Sequence, residues 1–170
     1  MELILVHLTD IHIVDDDDFD ILSERVASLG GAICKHITAP ENSAVIFCIT
    51  GDLAYSGKES QYAAVTMFLE EICSIIEQRY SKVSIHPVFV PGNHDCDFED
   101  VNSEVRDAIL ASPKLDVANV SHLKTCTSIQ KNYFSFVKEW GKKNAISCQE
   151  DRIVTENVLN FKNVNSNFPH

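Results

Sequence analysis

The sequence lacks the marks of several protein classes. Its six cysteines, Cys34, Cys48, Cys73, Cys96, Cys126 and Cys148, form no CxxC pair and keep no regular spacing. That argues against a disulfide framework and for a reducing, cytoplasmic compartment. Most of them sit in apolar patterns, where a free thiol behaves as a small hydrophobe. No apolar run reaches the roughly 20 residues that a membrane helix needs. Residues 1–8 carry no basic segment, and their apolar run breaks at His7, which argues against a signal peptide. Basic residues are scarce: 14 Lys and Arg stand against 25 Asp and Glu, a formal charge of −11. Such a chain repels a phosphate backbone, so nucleic acid is not an expected partner. A bound divalent cation would reverse that field locally. There is no internal repeat and no low-complexity linker. The only charge run is Asp15, Asp16, Asp17 and Asp18, read as a solvated loop capping the next helix.

What remains is an ordinary soluble composition. Apolar residues make up 45% and charged residues 23% of 170, enough for one domain with a sizeable core. Three short apolar runs, residues 3–8, 44–49 and 83–90, read as buried parallel strands rich in Val, Ile and Phe. Pro87 interrupts the third and marks either an edge strand or a bulge. Between them, Leu22, Val26, Leu29, Ile33 and Ile37 form one helical stripe. Tyr62, Val65, Phe68 or Leu69, Ile72 and Ile76 form another, with Ser60 as the expected N-cap. The order strand–helix–strand–helix–strand predicts α/β units with right-handed crossovers. Residues 101–110 read as a short helix. Residues 121–140 read as one longer helix whose aromatic set, Tyr133, Phe134, Phe136 and Trp140, belongs to a core. Residues 153–164 read as one or two strands.

Each predicted strand runs straight into polar, metal-competent residues. After Leu8 comes Asp10-Ile11-His12, after Ile49 comes Gly51-Asp52, and after Val90 comes Gly92-Asn93-His94-Asp95. Ligands of open α/β sheets bind outside the carboxyl ends of the strands, so three parallel strands would bring these clusters to one edge. Carboxylate, imidazole and amide oxygen suit Mn, Fe or Zn. Asp10 and His12, two apart in an extended segment, would point to one side and grip one ion. The Asp52 carboxylate has two oxygens and can bridge two ions, and Asn93 offers an amide oxygen to the second. Gly51 and Gly92 would let the backbone turn sharply and approach closely. His94 would protonate a leaving oxygen or stabilise the transition state, with Asp95 orienting its ring. His7, His36 and His86, in apolar patterns, are expected to be structural.

Taken in order, Asp10-x-His12, Gly51-Asp52-Leu53-Ala54 and Gly92-Asn93-His94-Asp95 resemble the calcineurin-like metallophosphoesterase family. Residues 50–57 (TGDLAYSG) and 90–95 (VPGNHD) are similar to bacterial members. A given string such as Gly-Asn-His-Asp should arise by chance in about one chain per thousand of this length. The resemblance covers residues 2–96 and says little of residues 97–170. It implies the N-terminal part of a layered α/β/β/α sandwich with a mostly parallel sheet, read as a single domain over residues 1–170 that is incomplete at its C-terminus. It also implies a two-metal phosphoesterase acting on a phosphate-ester substrate. One ion would sit at Asp10, His12 and Asp52 and the other at Asp52 and Asn93, with His94 as catalytic acid.

The family pattern continues with a later His and a Gly-His-x-His run. After Asp95 this chain has only His122 and His170, and it contains no Gly-His. Three readings stand side by side: a truncated or split protein, a degenerate domain with a sensory or interaction role, or a site completed by a partner chain.

Overall fold

The structure is a computed structural model that describes residues 2–14, 19–111, 120–143, 152–155 and 158–161. The chain divides into two compact units, Met1–Asp97 and Phe98–His170. The aspartate run at 15–18, Cys148 and His170 lie outside the described residues.

The first unit alternates strand and helix: β1 (Glu2–Leu8), α1 (Phe19–His36), β2 (Ser43–Ile49), α2 (Glu59–Arg79) and β3 (Ser84–Phe89). The strands form one parallel sheet in the order β1-β2-β3, with Leu8 beside Ile49 and Ile49 beside Phe89. The expected α/β class is therefore the observed one. Pro87 lies on edge strand β3, where its missing N–H leaves no ladder bond unmade.

The two crossovers step in the same direction across the sheet. Right-handed connections then place both helices on one face, and α1 packs against α2. On that face Val45, Phe47 and Ile49 are buried, as are Leu22, Val26 and Ile33 of α1 and Val65, Leu69, Ile72 and Ile76 of α2. Each such side chain stabilises the fold by about 1.5–3 kcal/mol. The other face is open. Leu3 is 54% and Leu5 63% exposed, and Val88 and Val90 are 37% and 42%. The expectation of three buried strands thus holds only for the central one; β1 and β3 alternate. His7 and His86 fall on the open face and are exposed, and the His7 ring bonds Thr50 Oγ1 at 2.7 Å.

The start of α2 also differs from expectation. It begins at Glu59, and the Gln61 side chain, not Ser60, caps it. Gln61 Oε1 accepts the backbone N–H of Ser56 at 3.0 Å and of Lys58 at 3.4 Å.

One exposed carboxylate fastens the N-terminal strand. Glu2 accepts the Thr38 hydroxyl at 2.6 Å, the Ser43 hydroxyl at 2.7 Å and the N–H groups of Thr38 and Ala39 at 3.0 and 3.1 Å. The Thr38 hydroxyl first, then Ser43 and Ala39, lower its pKa from 4.5 to about 2.

The second unit contains α3 (Ser103–Leu110), α4 (Val120–Thr127), a 3-10 turn (Ser128–Gln130), α5 (Lys131–Lys143) and an antiparallel pair of strands, β4 (Arg152–Thr155) and β5 (Val158–Phe161). The single helix expected over 121–140 is broken at Ser128. There the Ser128 hydroxyl reaches Asp100 Oδ2 at 2.8 Å, competing with regular helix geometry. Burial works to raise the Asp100 carboxyl, but bonds from Ser128 and Asn102 hold it below its ordinary range. Of the expected core set, Tyr133, Phe136 and Trp140 are buried and Phe134 is half-buried.

Ile72→Ala removes a fully buried side chain and should lower stability by about 2–4 kcal/mol in denaturant titration. For Glu2, the depressed folded-state pKa means that its contribution is full above the ordinary value of 4.5 and is lost as pH falls towards 2. The difference in thermal midpoint between the wild type and Glu2→Gln should be largest near neutrality and close between pH 4 and 2.

Candidate metal centre

The segment after β1 does not stay extended. Asp10 and His12 both adopt left-handed backbone, with φ of 55° and 54°, and so does Asp52 at 55°. Asp and His tolerate this region better than most residues, at a cost of about 1–2 kcal/mol each. Neighbouring backbone holds them there. His12 N–H bonds Asp52 O at 2.9 Å, Ile13 N–H bonds Leu53 O at 2.9 Å, and Tyr55 N–H returns to Ile13 O at 3.0 Å. The first two motif loops thus continue the parallel pairing of β1 and β2 past the strand ends. Asp10 and His12 do share a side, with Asp10 Oδ1 3.8 Å from His12 Nε2. The cause is the paired left-handed turn, not the two-residue repeat of a strand.

The second and third loops touch backbone to backbone. Gly51 has φ of 102°, and a Cβ there would lie 2.6 Å from Gly92 Cα. A Cβ on Gly92 would collide with the Asp52 carboxylate. Both positions therefore need glycine, as the sequence suggested.

Asp95 explains why the loops stay so close. It is fully buried. One carboxylate oxygen accepts the N–H groups of Asp52 at 2.8 Å and Gly92 at 3.0 Å. The other accepts Ala54 N–H at 3.1 Å and the Tyr62 hydroxyl at 3.0 Å. Four donors fill the four acceptor positions of a carboxylate. Asp95 is thus a clamp between the two loops, which corrects the expectation that it orients the His94 ring. That ring is held instead by the Tyr55 carbonyl, 2.7 Å from Nδ1. A carbonyl can only accept, so Nδ1 carries a proton and Nε2 is the nitrogen left for other partners.

His12, Asp52 and His94 converge. Each offers one ligand atom, and the three atoms lie within 4.8 Å of one another. The His12 and His94 rings meet edge to face at 4.5 Å. Asp52 Oδ1 also accepts the His94 N–H at 2.9 Å. Two imidazoles and a carboxylate suit a borderline divalent ion. The His12 ring supports that fit: its Nδ1 is buried and has no hydrogen-bond partner, and its Nε2 faces a carboxylate. Asp10 is largely exposed beside them, and its carboxylate accepts the Thr9 hydroxyl at 2.6 Å. Asn93 is exposed in the same loop, one residue before His94.

Several supporting residues carry no motif signal of their own. Tyr62 reads as one more apolar position of α2, yet its hydroxyl reaches Asp95. Lys58 pairs with Asp97 at 2.7 Å and ties the start of α2 to the third loop. The Tyr55 contact to His94 uses a backbone carbonyl, which no residue pattern can announce.

The sequence model of one protein family, described as calcineurin-like phosphoesterase, matches residues 3–168. The match runs well beyond residues 2–96, where the motif resemblance is clear. A comparison with curated proteins gives no match. Among the described residues no helix is long and apolar enough to cross a membrane.

Asp95→Asn turns an NH2 group towards donors that need an acceptor. It should cost about 1–3 kcal/mol of stability in denaturant titration, and Mn²⁺ affinity measured by calorimetry should fall with it. Unchanged stability and affinity would mean that Asp95 is not the clamp.

Proposed function

The chain belongs to the calcineurin-like phosphoesterase family, and from that premise we propose that it hydrolyses a phosphomonoester or phosphodiester with divalent metal bound at the strand ends. The observation that carries this reading is the convergence of His12, Asp52 and His94 at the carboxyl edge of a parallel sheet. Asp10, His12 and Asp52 would hold a first ion, and Asp52 and Asn93 would serve a second, with Mn, Fe or Zn as the suitable metals. Bound ions would supply Lewis-acid charge against the phosphoryl oxygens and lower the pKa of water.

The protein's own groups divide the remaining work. The Tyr55 carbonyl fixes the His94 tautomer, so its Nε2 is the nitrogen that takes up or delivers a proton. His94 would deliver that proton to the leaving oxygen. The Asp52 carboxylate, bonded to the His94 backbone N–H, keeps the acid and the metal ligands in register. Asp95 holds both loops in place from beneath.

The test is hydrolysis of an aryl phosphate with added Mn²⁺. Turnover should disappear in Asp52→Ala and fall by about 10²–10⁴-fold in His94→Ala. A folded wild-type chain that binds metal but gives no turnover with Mn²⁺, Fe²⁺ or Zn²⁺ would favour a non-catalytic domain, the reading that the missing Gly-His run leaves open.

A further inference from the structure

We propose that the Tyr55 ring is a stacking surface that selects esters carrying a planar aromatic group on the ester oxygen. This rests on the phosphoesterase reading above and extends it to the substrate class. Tyr55 follows Asp52 by three residues, so the backbone that delivers the ligand also delivers the ring. Its centroid lies 5.6 Å from the His94 ring and 6.2 Å from the His12 ring. The ring therefore borders the group of ligand atoms directly, yet 54% of the residue is exposed.

Exposure of a large aromatic at that place is unusual in this unit. Tyr62, on the helix that follows, is 4% exposed and reaches Asp95. Tyr55 is exposed but not loose. Its N–H is tied to Ile13 O and its carbonyl to the His94 ring. With the backbone held, contact costs only the freedom of the two side-chain torsions, which is small for an aromatic residue. Aromatic stacking of this kind is worth about tenfold or more in binding. Because both tethers are backbone groups, side-chain substitutions leave the His94 bond in place. The role of the ring can therefore be separated from that of the acid.

Binding of benzylphosphonate and ethylphosphonate, in which a CH2 stands in for the ester oxygen, to the Mn²⁺-loaded chain, measured by calorimetry, tests this without turnover. The wild type should prefer the benzyl compound by about tenfold. Tyr55→Ala should bring the ratio close to one, and Tyr55→Phe should keep it, because the ring and not the hydroxyl is at work. A wild-type ratio near one, a preference that survives Tyr55→Ala, or failure of both compounds to bind would overturn the proposal. Hydrolysis is scored separately with phenyl phosphate. The expected phosphonate pattern without hydrolysis would sink the catalytic reading and leave the stacking surface standing.

Discussion

The carboxylate of Asp95 is the constraint on which the site depends. It sits buried where two loops from neighbouring strands meet, and it accepts one donor from each of Asp52, Ala54, Gly92 and Tyr62. Three of those donors are backbone N–H groups in the loops that follow β2 and β3. Left unpaired and buried, each would cost about 1–3 kcal/mol. A single side chain satisfies all of them and draws the loops together. The glycines at 51 and 92 exist for the same contact, since a side chain at either would occupy space the other loop already fills.

The geometry of the ligand atoms follows from that clamp. Asp52 is pinned through its own N–H, adopts left-handed backbone, and turns its carboxylate towards the His94 N–H. The first loop lies along the second through the bond from His12 N–H to Asp52 O. Two strained residues at 10 and 12 thus depend on a third at 52, and all three on a buried carboxylate. Strain gathered at ligand positions and supported from behind is how a fold keeps a site preorganised. The open sheet face belongs to the same topology. Two crossovers in one direction cover one side with helices and leave Leu3, Leu5 and Val88 uncovered on the other.

Much of this was legible in the residues. Periodicity located three strands and two long helices, because a half-buried helix must repeat its apolar positions. The strand-end clusters were legible because strand ends and hard ligands leave separate marks in a sequence. The rest failed for physical reasons. An Asp-x-His pair cannot reveal whether its backbone is extended or left-handed. Asp95 next to His94 looks like an orienting partner, but the direction of its side chain is set by long-range backbone donors. The break at Ser128 depends on Asp100, 28 residues earlier. The burial of strands depends on the hand and direction of the crossovers, which apolar runs do not encode.

The central claim is that His12 and Asp52, beside His94, form a place for a divalent ion. Pulsed electron paramagnetic resonance of the Mn²⁺-loaded chain reads the nitrogen ligands directly. The account predicts an imidazole nitrogen coupling in the wild type and its loss in His12→Ala. Bound Mn²⁺ with no imidazole coupling, or a spectrum unchanged by His12→Ala, would contradict it.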